Sequence, residues 1–259
     1  MFRKGAGQLE GFAQCNDRSP LLYSHRNSCS ATAMKTPLKI AGVLWDIDGT
    51  LVDSEPFHHG ALVAACAEHG VDLSDLSAEA FIGVHIEDVF HALRDRLPAE
   101  LAYEVWNGRI GAHYANGIES LLAQPGAVET IAALTQKGIL QACVSNSGRA
   151  IVDANVKALG IAEHLRFTIS LDDLKNGKPH PEAYTTGSER LGLAPRHVLA
   201  VEDSATGLRS ARAAGCYAVA YWPFPERPVP DNMRRNADRV VRHLGDIPDV
   251  IERLAAPTA

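Results

Sequence analysis

From residue 38 onward, short apolar runs alternate with stretches of helical periodicity, and this alternation constrains the fold more than any other feature. The first run, 40–45, predicts a buried strand. Comparable runs predict strands at 140–144, 167–170, 198–201, 217–221 and 239–241. Helical patterns lie at about 126–137, 149–160, 181–192, 204–214 and 244–254. Strands joined through helices predict an α/β fold built on a doubly wound parallel sheet.

One insertion interrupts the alternation. Residues from about 57 to 123 carry only helical patterns, at 57–69, 78–82, 86–97 and 99–116. Gly, Ser, Pro and other linker-type residues flank the insertion at 54–56 and 124–126, which favours a hinged unit. We therefore predict a Rossmann-like core at 38–56 and 124–259, with an inserted all-helical cap domain at 57–123.

Residues 1–37 differ in composition from the rest of the chain. They are net basic, rich in Gly, Ser, Asn and Arg, and lack apolar periodicity. No apolar segment follows Arg3 and Lys4, so a secretory signal is not indicated. The bias toward Arg and Ser leaves a transit peptide open. The simpler interpretation is a disordered or processed tail, or an upstream start codon with Met34 as the true first residue.

Composition excludes several other classes. The formal net charge of -6 is spread over the chain without a basic cluster, so no nucleic-acid partner is expected. The five cysteines form no C-x-x-C pair, which argues against a disulfide framework or zinc site and favours a cytoplasmic protein. The longest apolar runs are too short for a membrane span, so no membrane partner is expected either. A monomer is the default expectation.

Four polar clusters follow predicted strands. Asp46 and Asp48 lie on the same side of the chain after the first strand. Two such carboxylates repel by ~4 kcal/mol at a surface dielectric, so the pair needs a cation or a shared proton. Ser145 and Asn146 stand between a strand and a helix start, where hydroxyl and N–H groups can bind an anion.

The other two clusters are a lysine loop and an acidic pair. Lys178 lies in a loop stiffened by Pro179. Glu202 and Asp203 follow the apolar run 198–201, and their carboxylates offer oxygen ligands that suit Mg²⁺. Each cluster alone has an ordinary explanation as a turn acid, a helix cap or a solvated lysine. Together they should converge, because ligands bind outside the carboxyl ends of the strands in a doubly wound sheet. The sequence therefore predicts a phosphoryl site that needs Mg²⁺.

These motifs, in this order, resemble those of the haloacid dehalogenase-like hydrolase superfamily. The likeness is greatest to its β-phosphoglucomutase and phosphoglycolate phosphatase group, which has a helical cap after the first motif. The matching motifs are D-I-D-G-T-L-V-D-S at 46–54, S-N-S at 145–147, G-K-P-H-P-E at 177–182 and E-D-S-x-x-G at 202–207. The resemblance covers residues from about 38 to 255.

The resemblance implies catalytic and metal-binding roles for the acidic residues. Asp46 would be the nucleophile that forms an aspartyl-phosphate. Asp48 would act as the general acid and then as the general base. Mg²⁺ would bind the Asp46 carboxylate, the backbone carbonyl of Asp48 and Asp203, with Glu202 either a ligand or a neighbour of the ligands.

The resemblance also implies substrate contacts. Ser145, the Asn146 amide and Lys178 would hold the transferring phosphoryl oxygens. His58 matches a histidine that follows the first motif in this group, and His85 lies in the segment that corresponds to the substrate loop of the cap. Both histidines are candidate substrate contacts, although each could equally be a surface residue of the cap.

The cap departs from the mutase pattern at two positions. Ile82 and Ile86 stand where the mutase carries Lys and Arg to grip a second phosphate, and an apolar side chain cannot hold a phosphate dianion. We therefore expect a Mg²⁺-dependent phosphatase that acts on a small phosphorylated metabolite such as a sugar, polyol or glycolate phosphate. A hexose-phosphate mutase and a non-catalytic regulatory protein on the same fold stay open as alternatives.

Overall fold

The computed structural model of the chain describes residues 37–77, 80–81, 84, 86–118 and 121–256. All of them belong to one unit of the chain, Lys35–Ala259. Nearly all of the predicted tail therefore lies outside the described residues. The same is true of two residues singled out in the cap, Ile82 and His85.

The described residues form a six-stranded sheet in which every paired strand is parallel to its neighbours. Its strands are β1 (Gly42–Trp45), β2 (Leu140–Val144), β3 (Thr168–Ile169), β4 (Val198–Glu202), β5 (Tyr217–Tyr221) and β6 (Arg239–Val241). The strand order is β3-β2-β1-β4-β5-β6, which confirms the predicted doubly wound sheet. The chain order reverses between β1 and β4, so the ligand crevice is expected at the carboxyl ends of these two strands.

Helices cover both faces of the sheet because the central strands are apolar on both sides. Val43 and Trp45 belong to one buried cluster, whereas Leu44 belongs to the other, as the alternation of side chains along a strand requires. The first cluster includes residues of α4 (Ala127–Gln136), α5 (Arg149–Leu159) and α9 (Ile247–Ala255). The second includes residues of α6 (Glu182–Arg190), α7 (Ala205–Ala214) and α8 (Asp231–Arg234).

Among the described residues, three helices lie between β1 and α4. They are α1 (Glu55–Ala67), α2 (Ile86–Ala92) and α3 (Tyr103–Gly117). Their apolar side chains share a third cluster, which Ile151 of α5 joins and against which Ile86 packs. We call this region the helical insert. It is consistent with the predicted cap, whose boundaries at 57 and 123 stay a prediction.

The insert differs from the sequence prediction in its helix ends. The pattern at 86–97 predicts one helix, but α2 ends at Ala92 although Leu93 and Leu97 are also buried. Pro98 disfavours helical backbone at the residue before it, and the Arg94 guanidinium donates to the Pro98 carbonyl. None of the described helices combines the length and the apolar character that a membrane span requires.

Candidate active site

A buried lysine joins the carboxyl ends of β1 and β4. Asp46 directly follows β1, and Glu202 is the last residue of β4. The Nζ atom of Lys178 lies 2.6 Å from Oδ1 of Asp46 and 2.6 Å from Oε1 of Glu202, and it donates to the Val144 carbonyl at 3.0 Å. Lys178 is only 6% exposed. Four segments of the chain therefore meet at the predicted crevice, those of Asp46, Val144, Lys178 and Glu202.

Further groups fix the Glu202 carboxylate. The Tyr184 hydroxyl donates to Oε1 at 2.6 Å, and the Ser204 hydroxyl donates to Oε2 at 3.1 Å. Ser204 also caps α7 by accepting the Gly207 N–H at 2.9 Å. A Cβ on Gly207 would lie 1.9 Å from the Glu202 carboxylate, so any side chain here would displace that carboxylate. Both oxygens of Glu202 are thus engaged by protein donors.

The Asp203 carboxylate completes an acidic cluster with Asp46 and Glu202. One oxygen from each of the three residues lies within 4.8 Å of the others. The Thr50 hydroxyl donates to Oδ1 of Asp203 at 3.3 Å. Gly49 has a φ of +82°, and a Cβ there would lie 2.1 Å from Oδ2 of Asp203. The glycine of the first motif is therefore required both by the backbone conformation and by the approach of this carboxylate.

The charges of this cluster fit a divalent cation. Burial and the Glu202 carboxylate raise the pKa of Asp46, and the same two causes raise the pKa of Asp203 to about 7. Burial acts to lower the pKa of Lys178, but the Asp46 and Glu202 carboxylates raise it overall. Three carboxylates thus face one ammonium group. Their oxygens are the hard ligands that Mg²⁺ takes, and a further positive charge would relieve their repulsion.

Asp48 has a separate set of partners. Its Oδ2 accepts hydrogen bonds from Ser145 at 3.1 Å and Ser147 at 2.8 Å. Its Oδ1 lies 3.0 Å from Nε2 of His58 and accepts from the Asn155 amide at 3.2 Å. Burial acts to raise the pKa of Asp48, but the hydrogen bond and charge of His58 hold it well below its usual range. Burial likewise acts to lower the pKa of His58, whereas its bond to Asp48 raises it overall.

Comparison with known proteins identifies the family. A family model described as Haloacid dehalogenase-like hydrolase matches residues 43–221, which is more than half of the chain. The chain belongs to this family. The resemblance inferred from the four motifs is thereby confirmed.

Curated relatives of this haloacid dehalogenase-like hydrolase are phosphatases. Hexitol phosphatase A from Escherichia coli (strain K12) is 32% identical, and the match covers 71% of this chain and 83% of the relative. Phosphoglycolate phosphatase from the same strain is 31% identical, with coverages of 70% and 80%. The prediction of a phosphatase-type hydrolase is confirmed at this level.

A solved structure agrees with the fold. The crystal structure of β-phosphoglucomutase from Clostridium difficile matches with a TM-score of 0.67 at 20% identity, covering 83% of this chain and 97% of that one. At this level of identity the likeness shows the shared fold alone.

Within this haloacid dehalogenase-like hydrolase, some predicted site residues have protein partners that the sequence did not reveal. The Ser145 hydroxyl contacts Asp48. The Asn146 side chain accepts from the backbone N–H of Lys178 at 2.8 Å and donates to its carbonyl at 3.1 Å, so it holds the lysine loop. His58 contacts Asp48, and His85 lies outside the described residues. Phosphoryl or substrate binding by these four residues stays a prediction.

Sequence reasoning assigned no site role to Ser147, Asn155 or Tyr184. Ser147 and Asn155 contact Asp48, and Tyr184 contacts Glu202. Asn155 carried a readable signal, since it is a polar residue on the apolar face of α5 beside Ile151 and Val156. The sequence gives no such signal for Tyr184, because a tyrosine on a helix such as α6 is usually an ordinary core residue.

Proposed function

We propose that this chain is a Mg²⁺-dependent phosphatase that hydrolyses a small phosphorylated metabolite through an aspartyl-phosphate on Asp46. The observation that carries the proposal is the position of Lys178. Its ammonium group bridges Asp46 and Glu202 at 2.6 Å each, at the carboxyl ends of the two strands where a doubly wound sheet binds its ligand.

Asp46 and Asp48 have different roles in the proposed reaction. The Asp46 carboxylate attacks phosphorus while the bond from phosphorus to the leaving oxygen breaks, and Asp48 gives that oxygen a proton. In the second half, Asp48 takes a proton from water, and the water oxygen attacks the phosphorus of the acyl phosphate. Inorganic phosphate then leaves, and the Asp46 carboxylate is restored.

The remaining charges prepare the site for a phosphoryl group. We propose that Asp46, Asp203 and the backbone carbonyl of Asp48 hold Mg²⁺, with Glu202 beside them. When bound, the cation neutralises charge on the phosphoryl oxygens. Lys178 supplies a fixed positive charge at Oδ1 of Asp46, and Asn146 keeps the lysine loop in place through its two hydrogen bonds to the Lys178 backbone.

The names of the relatives and the helical insert support the proposed substrate class. Hexitol phosphatase A and phosphoglycolate phosphatase are named for small phosphorylated compounds. We propose a sugar, polyol or glycolate phosphate here, with the helical insert acting as a cap that excludes water from the site. Ile86 packs against the apolar cluster of the insert, which does not favour the anchoring of a second phosphate there. A monomeric cytoplasmic enzyme without nucleic-acid or membrane partners stays our expectation.

Phosphate release tests the proposal. The protein is assayed with Mg²⁺ on p-nitrophenyl phosphate and on a panel of sugar, polyol and glycolate phosphates. Asp46→Asn and EDTA should each abolish release, whereas Asp153→Asn, which removes an exposed carboxylate on α5, should not. Borohydride reduction of acid-quenched enzyme should convert residue 46 to homoserine, the product expected of an aspartyl-phosphate.

Three outcomes would contradict parts of the proposal. Release that survives Asp46→Asn would exclude the nucleophile. Steady conversion of β-glucose 1-phosphate to glucose 6-phosphate without phosphate release would select the mutase alternative. An absence of turnover on every phosphate in the panel would favour the non-catalytic alternative.

A further inference from the structure

A buried chain of hydrogen bonds runs from the helical insert to Asp48. The Tyr114 hydroxyl on α3 donates to Oδ1 of Asn155 on α5 at 2.8 Å, and Nδ2 of Asn155 donates to Oδ1 of Asp48 at 3.2 Å. Tyr114 is 1% exposed and Asn155 is 0% exposed. Buried polar groups require partners, and here each polar atom of the Asn155 side chain has one.

The direction of this chain is fixed by its acidic end. An ionised carboxylate can only accept, so the amide nitrogen of Asn155 must face Asp48. The amide oxygen then faces Tyr114, whose hydroxyl must donate. The carboxylate therefore sets the orientation of the amide, and Tyr114 satisfies the amide oxygen that this orientation turns away from Asp48.

Helix packing places the two residues together. Ile151 of α5 joins the apolar cluster of the insert, and Asn155 lies four residues later on the same face of that helix. Close by, a Cβ on Gly111 of α3 would lie 3.4 Å from the Ala150 side chain, an ordinary packing distance. The ring of His58 also lies against Tyr114, with ring centroids 4.7 Å apart.

The donors differ between the two oxygens of Asp48. Oδ1 faces the Asn155 amide, which can only donate in this orientation, and His58, which donates whenever Nε2 carries its proton. Oδ2 faces the hydroxyls of Ser145 and Ser147, and a hydroxyl can rotate to donate or to accept. The insert therefore holds Oδ1 through Asn155, whereas the loop between β2 and α5 holds Oδ2 through its two hydroxyls.

We propose that Asn155 and Tyr114 are positioning residues for Asp48, holding its carboxylate through Oδ1 in the orientation that the general acid and base must keep. The inference rests on the proposed role of Asp48 as the general acid and base. Asn155 and Tyr114 act through the Asp48 carboxylate, and among the described hydrogen bonds neither residue contacts Asp46 or Asp203.

Leaving-group dependence tests the proposal. The p-nitrophenolate ion leaves without a proton, whereas the alkoxide of glycerol phosphate needs one, so only the second substrate depends on a correctly placed general acid. The value of kcat/KM reports this step, because it covers events up to the first irreversible departure. The measurement compares kcat/KM of each variant on the two substrates, with folding checked by thermal melts.

Asn155→Leu should lower kcat/KM for glycerol phosphate by about 10- to 100-fold, because a hydrogen bond to a charged group is lost. The same variant should lower kcat/KM for p-nitrophenyl phosphate by less than about threefold. Tyr114→Phe, a milder change that keeps the ring, should act in the same sense by about three- to tenfold. The double variant should be no worse than Asn155→Leu alone, because Tyr114 acts through Asn155.

Two control variants separate positioning from simple destabilisation. Tyr103→Phe removes a hydroxyl from the first residue of the same helix as Tyr114. Gln141→Leu removes a buried amide that bonds Trp45 in the core. Neither should change the ratio of the two kcat/KM values.

Equal losses on both substrates for Asn155→Leu and Tyr114→Phe would show a merely structural role and overturn the inference. An absence of loss on both substrates would overturn it as well.

Asp48→Asn separately tests the proposed role of Asp48 as the general acid and base. It should depress turnover of glycerol phosphate far more than that of p-nitrophenyl phosphate. If it does not, the proposed role of Asp48 has failed. If it does while Asn155→Leu behaves like a control, only the inference has failed.

Discussion

Replacing Lys178 by Met would test the charge balance of the site. Methionine keeps most of the aliphatic volume of lysine, but it removes the ammonium group, whose Nζ atom lies 5.2 Å from the centre of the Tyr184 ring. Asp46 and Glu202 would lose the cation that lies 2.6 Å from each of them. Because all three side chains are buried, water cannot take the place of the lysine at full strength.

The expected loss follows from the geometry. Oxygens of Asp46 and Glu202 lie within 4.8 Å of each other. At an effective dielectric constant of about 20, two unit charges at that distance repel by about 3.5 kcal/mol. Removing one partner of a buried ion pair costs about 3–5 kcal/mol in general. We therefore expect Lys178→Met to lower the free energy of unfolding by about 3–5 kcal/mol in the absence of Mg²⁺.

Urea denaturation with and without Mg²⁺ measures this effect. A cation in the acidic cluster should offset part of the loss, up to about 2.7 kcal/mol when the Mg²⁺ concentration is about 100 times its dissociation constant. The matched control is Lys137→Met, which breaks the exposed ion pair with Glu252 and should change the free energy of unfolding by less than about 1 kcal/mol. A loss no greater for Lys178→Met than for the control would refute the reasoning.

Two further substitutions probe the metal site. Gly49→Ala forces a side chain into a left-handed backbone conformation and against Asp203, so it should lower the free energy of unfolding by about 1–3 kcal/mol and weaken Mg²⁺ binding measured by calorimetry. The control is Gly70→Ala, because Gly70 has a φ of +74° but open space around it. This variant should lose stability without a change in Mg²⁺ affinity. Equal Mg²⁺ affinities for the two variants would contradict the argument. Addition of Mg²⁺ should raise the melting temperature of the wild-type protein, and EDTA should reverse the rise. Asp203→Asn should show little or none of this rise, and an unchanged rise would exclude Asp203 as a ligand.

The sheet was predictable because its strands are short apolar runs with abrupt ends. The predicted ranges 140–144, 217–221 and 239–241 coincide with β2, β5 and β6. In the insert, the apolar pattern at 86–97 predicted which residues are buried better than it predicted where the helix ends. Leu93 and Leu97 are buried as the pattern implies, yet they follow the end of α2. Periodicity records which side chains face the interior, whereas the end of α2 at Ala92 has no counterpart in the apolar pattern.

The approach of Lys178 to Asp46 was also predictable, because strand ends in a parallel sheet share one rim. The partners of Asp48 were not. Its contacts with Ser145, Ser147 and Asn155 join residues about a hundred positions apart, and they depend on how α5 is oriented at that rim. A sequence motif gives the residue types at each strand end, but it does not determine which side chain reaches which oxygen.

The hydrogen bonds also distinguish the three acids of the cluster. Glu202 accepts from Lys178 and Tyr184 at one oxygen and from Ser204 at the other. Within the described part of the chain, hydrogen bonds from other side chains reach only Oδ1 of Asp46 and Oδ1 of Asp203. Each of these two carboxylates therefore keeps an oxygen with lone pairs available to a cation, whereas those of Glu202 are largely committed to protein donors. We therefore expect Asp46 and Asp203 to bind the metal directly and Glu202 to act mainly by holding Lys178.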